Sequence, residues 1–352
     1  MSERSEFATF QRPAVSSTEE LEDLLSTPTD GVVKTLADVD GDLLILGVAG
    51  KMGPTLARMA VRASQAAGVK RRVIGVARFS RPEVAQWLQK HGVEPLACDL
   101  MDPRQVAALP DAANVVIMTA MKFGSTEKEG ETWAVNTLMP ATLCQRFANS
   151  RIVAFSTGNV YPLTPVTAGG SLETDRLLPV GEYAMSCVGR ERLYDHLSRT
   201  QGTRISIIRL NYACELRYGV LVDLARQMQR GEPIDLSMGM VNVIWQGDAH
   251  AMALMSLGRA ASPPFVINVA GPEQLSVRRL AELFGELFGT TANFVGQEGA
   301  EALLSNGQLG HDLFGYPRVS IRRLAEWIAA WLQQGGELLN KPTKFQVRDG
   351  KF

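Results

Sequence analysis

The chain has little that would tie it to a membrane, a metal or a nucleic acid. Across 352 residues no apolar run approaches the ~20 residues a helix needs to cross a bilayer. The opening residues, Met1-Ser2-Glu3-Arg4, lack the charged-then-apolar layout of a signal peptide. Net charge is −1, so no excess of one sign points to nucleic acid or an anionic membrane as partner. The four cysteines (Cys98, Cys144, Cys187, Cys214) and four histidines (His91, His196, His250, His311) are scattered without metal-ligand spacing. That argues against a zinc site and suits a reducing cytoplasm. What the chain does have is 32 glycines and a 45% hydrophobic composition, enough for one large globular domain and a smaller one.

The run Gly47-Val48-Ala49-Gly50-Lys51-Met52-Gly53 is the most telling segment. It follows an apolar strand pattern at 42–47 and opens a helical stretch from Thr55 to Ala66. A glycine-punctuated turn between strand and helix lets the backbone approach a pyrophosphate, which then lies at the positive end of the helix. Gly47, Gly50, Lys51, Met52 and Gly53 are therefore expected to bind a dinucleotide cofactor.

Strand patterns at 42–47, 72–78, 93–99, 114–120, 151–157 and 204–210 alternate with helical patterns near 55–67, 81–91, 103–109, 131–148 and 182–200. Continuous apolar runs such as Val115-Val116-Ile117-Met118 are those of strands buried on both faces of a parallel sheet. The alternation predicts an α/β fold, a doubly wound parallel (Rossmann) sheet, over 41–210. After 210 the rhythm changes. A helix at 219–231, a strand at Phe265–Val269, and helices near 276–288 and 319–334 suggest a smaller C-terminal α/β lobe, mainly substrate-binding, over 211–352. Residues 1–40 read as an N-terminal extension without chemistry, with a short helix after the capping box Ser17-Thr18-Glu19-Glu20.

Further motifs follow in order: Cys98-Asp99-Leu100-Met101-Asp102, Val116-Ile117-Met118-Thr119-Ala120, Asn136, Phe155-Ser156-Thr157-Gly158-Asn159-Val160-Tyr161, Tyr183 and Glu191. Asp248-Ala249-His250 and Phe265–Gly271 come later. With the glycine run, this ordered set resembles the extended short-chain dehydrogenase/reductase family of NAD(P)-dependent sugar epimerases and dehydratases, over about 42 to 334. The resemblance implies that Asp99 and Leu100 meet the adenine, and that Thr119, Ala120 and Asn136 lie toward the nicotinamide ribose. It makes Thr157 the catalytic threonine and Tyr183 the acid/base. It also implies a homodimer paired through the helix that carries Tyr183.

The second strand ends Val76-Ala77-Arg78, without the acid that bonds the ribose of NAD. An arginine there suits a 2′-phosphate, so NADP is favoured over NAD. Lys122, just past the fourth strand, is placed to reach a cofactor phosphate or a substrate; Thr157, Tyr161 and Asn211 join it as candidate substrate contacts. No paired-arginine clamp for a nucleotide diphosphate is evident, which leaves free sugars, sugar acids or other small carbonyl compounds as substrates.

One departure stands out. The family places a lysine four residues after its tyrosine, and here that position is Cys187. Bringing a tyrosine from its ordinary value near 10 to near 7 takes roughly 4 kcal/mol of phenolate stabilisation, which a thiol does not supply. Arg190 and Lys122 are the candidates to compensate. The loss keeps an alternative open, a dinucleotide-binding sensor or interaction protein without redox chemistry.

Overall fold

The structure, a computed structural model, describes residue 10 and residues 12–351. Ahead of the sheet lie two short helices, α1 (Thr18–Leu25) and α2 (Asp30–Asp38). The main unit then alternates β1 (Leu43–Leu46), α3 (Gly53–Ala66), β2 (Val73–Ala77), α4 (Pro82–Lys90), β3 (Glu94–Ala97), α5 (Pro103–Ala107) and β4 (Asn114–Ile117). Helix α6 follows as three continuous segments, Glu129–Trp133, Ala134–Leu138 and Met139–Arg146, the middle one a π-helical turn. β5 (Arg151–Thr157), α7 (Gly181–Gln201) and β6 (Arg204–Leu210) complete the expected series.

The sheet has seven strands, all pairs parallel, in the order β7-β6-β5-β4-β1-β2-β3. This is the doubly wound arrangement the alternation predicts. Strands β1, β2 and β4 are buried at every position, as apolar runs covered by helices on both faces must be.

Beyond β6 lie α8 (Val220–Arg230), α9 (Gln246–Met255), β7 (Phe265–Val269), α10 (Val277–Phe288), α11 (Gln308–Phe314) and α12 (Ile321–Gln333). Here the sequence expectation needs correcting. Phe265–Val269 is not part of a separate lobe: it pairs with β6 from Ser206 to Leu210 as the seventh strand. Helix α9 is buried along its whole length, and its Met252 and Leu254 share a core cluster with Val32 and Leu36 of α2 and Leu56 of α3. The chain thus starts the smaller lobe with α8, returns to the main sheet with α9 and β7, and completes the lobe with α10 and α12, around Leu224, Phe284 and Trp327.

The N-terminal helices are part of the core. Ser17 caps α1 by accepting from Glu20 N at 3.2 Å, and Leu21, Leu24 and Leu25 are buried with the α8–α12 lobe. The tail after α12 has no regular structure, yet it is tied down. Leu339 N donates to Arg217 O at 3.1 Å, and Thr343 N and Oγ1 donate to Asp223 Oδ2 at 2.8 and 2.6 Å. Val347 packs on the cluster of Val160, Tyr161, Tyr183 and Cys187, and Gly350 lies against the backbone of Val180 and Gly181 at the start of α7. Among the described residues no helix is long and apolar enough to cross a membrane.

Candidate active site

In a parallel sheet all strands end on the same edge, so the turns after β1, β4, β5 and β6 meet there. The turn after β1 is built for close approach. Gly47 adopts φ +85°, and a Cβ on Gly53 would fall 2.2 Å from Val48 O. No side chain caps α3; Gly53 N turns back onto Gly50 O at 3.2 Å and Pro54 has no N–H, which leaves the Thr55 amide of the first turn to another acceptor. The cradle fits a phosphate group. A groove of about 620 Å³ runs along it, lined by Ala49, Gly50, Lys51, Thr55, Arg81 and Trp87 among others. Arg78 is exposed beside β2 and is not on that lining, whereas Arg81 is.

At the end of β3, Asp99 accepts from Met101 N at 3.0 Å, and Leu100 is buried. Thr119 and Ala120 follow β4. Asn136 is fully buried in the π turn of α6: Oδ1 accepts from Met121 N at 2.9 Å, and Nδ2 donates to Met121 O and Ser186 Oγ at 3.0 and 2.9 Å. It therefore fixes the loop that carries Lys122 to the helix that carries Tyr183, and does not itself reach the cavity.

That cavity, about 160 Å³, brings together Lys51, Met52, Lys122, Thr157, Tyr183 and Asn211. Six of the sequence-predicted residues thus converge, from the turns after β1, β4 and β6, the end of β5 and helix α7. Lys51 spans the cleft, its Nζ 3.7 Å above the centre of the Tyr218 ring and 3.4 Å from Ala213 O. The Lys122 Nζ is 5.8 Å from the Tyr183 ring centre. Burial lowers both lysines to about 8. Asn211 is held by Asn242, to whose Oδ1 its Nδ2 donates at 2.6 Å.

Tyr183 is buried and shares a core cluster with Cys187, one helical turn further along α7. Burial first, then Cys187, pushes its pKa far above the ordinary tyrosine value, while Arg190 and Thr157 act the other way. Arg190 donates from Nη2 to Cys187 Sγ and from Nη1 to Thr119 O, each at 3.2 Å.

Tyr161, expected to touch substrate, does not line the cavity. Its hydroxyl donates to Asn268 Oδ1 at 2.8 Å and accepts from Arg209 Nη1 at 2.7 Å. Burial pushes it up to about 12. It belongs to a polar network beneath the site, in which Arg209 pairs with Glu191 at 2.7 Å and Ser156 Oγ donates to Glu191 at 2.5 Å. Sequence reasoning missed Tyr218 and Thr343, which also face the cavity. A hint for Tyr218 was its place ahead of Gly219, whose φ of +135° lets the chain turn against Cys214. Thr343 gave no signal, since only the path of the tail brings it there.

No protein-family model matches the chain, and no curated protein matches it by sequence. Solved structures do match its fold. A variant UDP-glucuronic acid 4-epimerase from Bacillus cereus, in complex with NAD and a fluorinated UDP-glucuronic acid, superposes with a TM-score of 0.70 at 18% identity, covering 83% of this chain and 99% of that one. An epimerase from Methanothermobacter thermautotrophicus gives 0.69 at 17% identity, covering 88% and 97%. A dTDP-glucose 4,6-dehydratase from Bacillus anthracis, in complex with NAD, gives 0.69 at 14% identity, covering 84% and 97%. At such identities the likeness is one of fold.

Proposed function

We propose that the protein is a nicotinamide-dinucleotide-dependent enzyme of the extended short-chain dehydrogenase/reductase type, acting on a small sugar-like hydroxyl or carbonyl compound as an epimerase, dehydratase or oxidoreductase. One observation carries this reading: Thr157 and Tyr183 share one cavity with Lys122, Asn211 and the glycine turn's Lys51. When bound, the dinucleotide accepts and returns a hydride. The turn from Gly47 to Gly53, with Lys51 and Met52, holds its phosphates; Asp99 and Leu100 lie by the adenine, and Thr119, Ala120 and Lys122 by the nicotinamide ribose. Tyr183 takes or gives the proton at its hydroxyl, and Thr157 orients the reacting oxygen by a hydrogen bond. Asn211 and Lys122 hold the substrate.

The epimerase and the dehydratase solved with a cofactor carry NAD, which supports NAD. The missing acid at Ala77 supports NADP. Competition between the two resolves the choice. The neighbours are named for nucleotide sugars. Here the small cavity, with two ammonium groups and no carboxylate on its lining, suits a sugar acid or another compact anion. Exposed Trp133 and Leu138 on α6 and Met185 on α7 support a homodimer through those helices. Four buried free cysteines are in keeping with a reducing cytoplasm.

The test is turnover of sugars and sugar acids with each dinucleotide, in wild type and Tyr183→Phe. Loss of about 10²–10⁴-fold on Tyr183→Phe supports the enzyme. Cofactor binding without turnover, indifferent to Tyr183→Phe, instead supports the second reading, a dinucleotide-binding sensor, which the Cys187 position favours.

A further inference from the structure

Cys187 is fully buried where a lysine ammonium would be expected, and the helix supplies a replacement one turn further on. Residues three apart share a helical face, so Arg190 lies beside Cys187 and is itself only 1% exposed. Its two terminal nitrogens donate to Cys187 Sγ and to Thr119 O, which ties α7 to the end of β4. Nε is buried without a hydrogen-bond partner. Among the described residues no carboxylate forms an ion pair with Arg190. Glu191, next in sequence, is engaged by Arg209 and Ser156. A guanidinium stays charged at any pH the protein survives. Its field therefore falls on what it faces: the Cys187 thiol and, in the same core cluster, the Tyr183 phenol. Thr157 and Tyr183 line the cavity, Cys187 packs behind Tyr183, and Arg190 links Cys187 to the turn after β4.

We infer that Arg190 is a positioning residue that stands in for the missing lysine, holding a fixed positive charge behind Tyr183 with Cys187 interposed between the two. The inference rests on Tyr183 being the proton carrier, as proposed above. The division of labour differs from a lysine's. The charge is one side chain further from the phenol, and the buried thiol between them helps hold the proton on. Burial and Cys187 thus raise Tyr183, and Arg190 opposes them. The other charges near these residues are Glu191 on α7, Lys122 after β4 and Lys51 on the glycine turn, both on the cavity lining, and Lys344 in the tail.

The test reads phenolate by difference ultraviolet absorbance on the full chain. Each variant is compared with its own Tyr183→Phe counterpart from pH 6 to 12, so the result does not depend on turnover. Wild type is expected to show no Tyr183 ionisation near the ordinary value. Cys187→Ala removes the interposed acceptor and lowers the midpoint by about one to three units, the range for an opposite charge at close quarters. Adding Arg190→Gln to Cys187→Ala abolishes that gain. An unmoved midpoint in Cys187→Ala, or the same midpoint with and without Arg190→Gln, overturns the inference. Should the Arg190→Gln protein fail to fold, Cys187→Lys decides. With Arg190 already in place, a second buried cation must lower the melting temperature, and a Cys187→Lys protein as stable as wild type would show the place to be vacant.

Discussion

At Lys51 and Lys122 burial works against charge, and both ammonium groups lose protons near 8 instead of near 10.5. The sign of two pH effects follows. An anionic ligand binds the ammonium forms, so affinity for a phosphate-bearing dinucleotide should fall as pH rises through about 8. Without ligand, the unfolded chain binds more protons than the folded one between about 8 and 10.5, so stability gains from these two groups as pH rises across that window. Lys51→Met and Lys122→Met should each raise the melting temperature of the ligand-free protein at pH 7 and weaken dinucleotide binding. Calorimetry across pH 7 to 10 checks both. These lysines were legible in the sequence because each follows a strand whose end faces the cleft. The role of Tyr161 was not. Its aim is set by Arg209 and Asn268, on β6 and β7, which only the folded sheet brings beside it.

Helix α7 is fixed by more than its apolar face. Glu191 and Arg209 are each about 5% exposed, bonded to one another and to Ser156 and Tyr161. Glu191→Ala leaves a guanidinium buried with no carboxylate, which costs about 3–5 kcal/mol. Urea unfolding should show that loss, and a change below 1 kcal/mol would mean that water replaces the carboxylate. The series of strands and crossover helices through β6 could be read from apolar runs and turn residues. The π turn at Ala134–Leu138 could not, because nothing in Ala134-Val135-Asn136-Thr137-Leu138 departs from an ordinary helical pattern. Its consequence is local: Asn136 bonds Met121 on one side and Ser186 on the other.

Over the whole molecule, the chain's two ends close what its middle builds. Helix α1 seats three leucines in the smaller lobe, α2 packs with α3 and α9, and the tail after α12 lays Thr343 into the cavity and Val347 onto the Tyr183 cluster. A division of the sequence at 210 missed this, because β7 and α9 lie far along the chain and their apolar residues look alike whichever lobe they enter. Removing the residues after Gln334 should raise hydrogen exchange at the start of α7 and lower the melting temperature, while the main sheet keeps its protection. The account as a whole stands on the glycine turn holding a dinucleotide against this closed site. Its most direct test is a fluorescence titration with NADH and NADPH of wild type, Gly53→Ala and Gly130→Ala. A Cβ at Gly53 meets Val48 O at 2.2 Å, whereas one at Gly130 meets nothing within 4 Å. The account predicts saturable binding of at least one dinucleotide by wild type and Gly130→Ala, weakened tenfold or more, about 1.4 kcal/mol, in Gly53→Ala. No saturable binding by wild type, or equal binding by all three proteins, would contradict it.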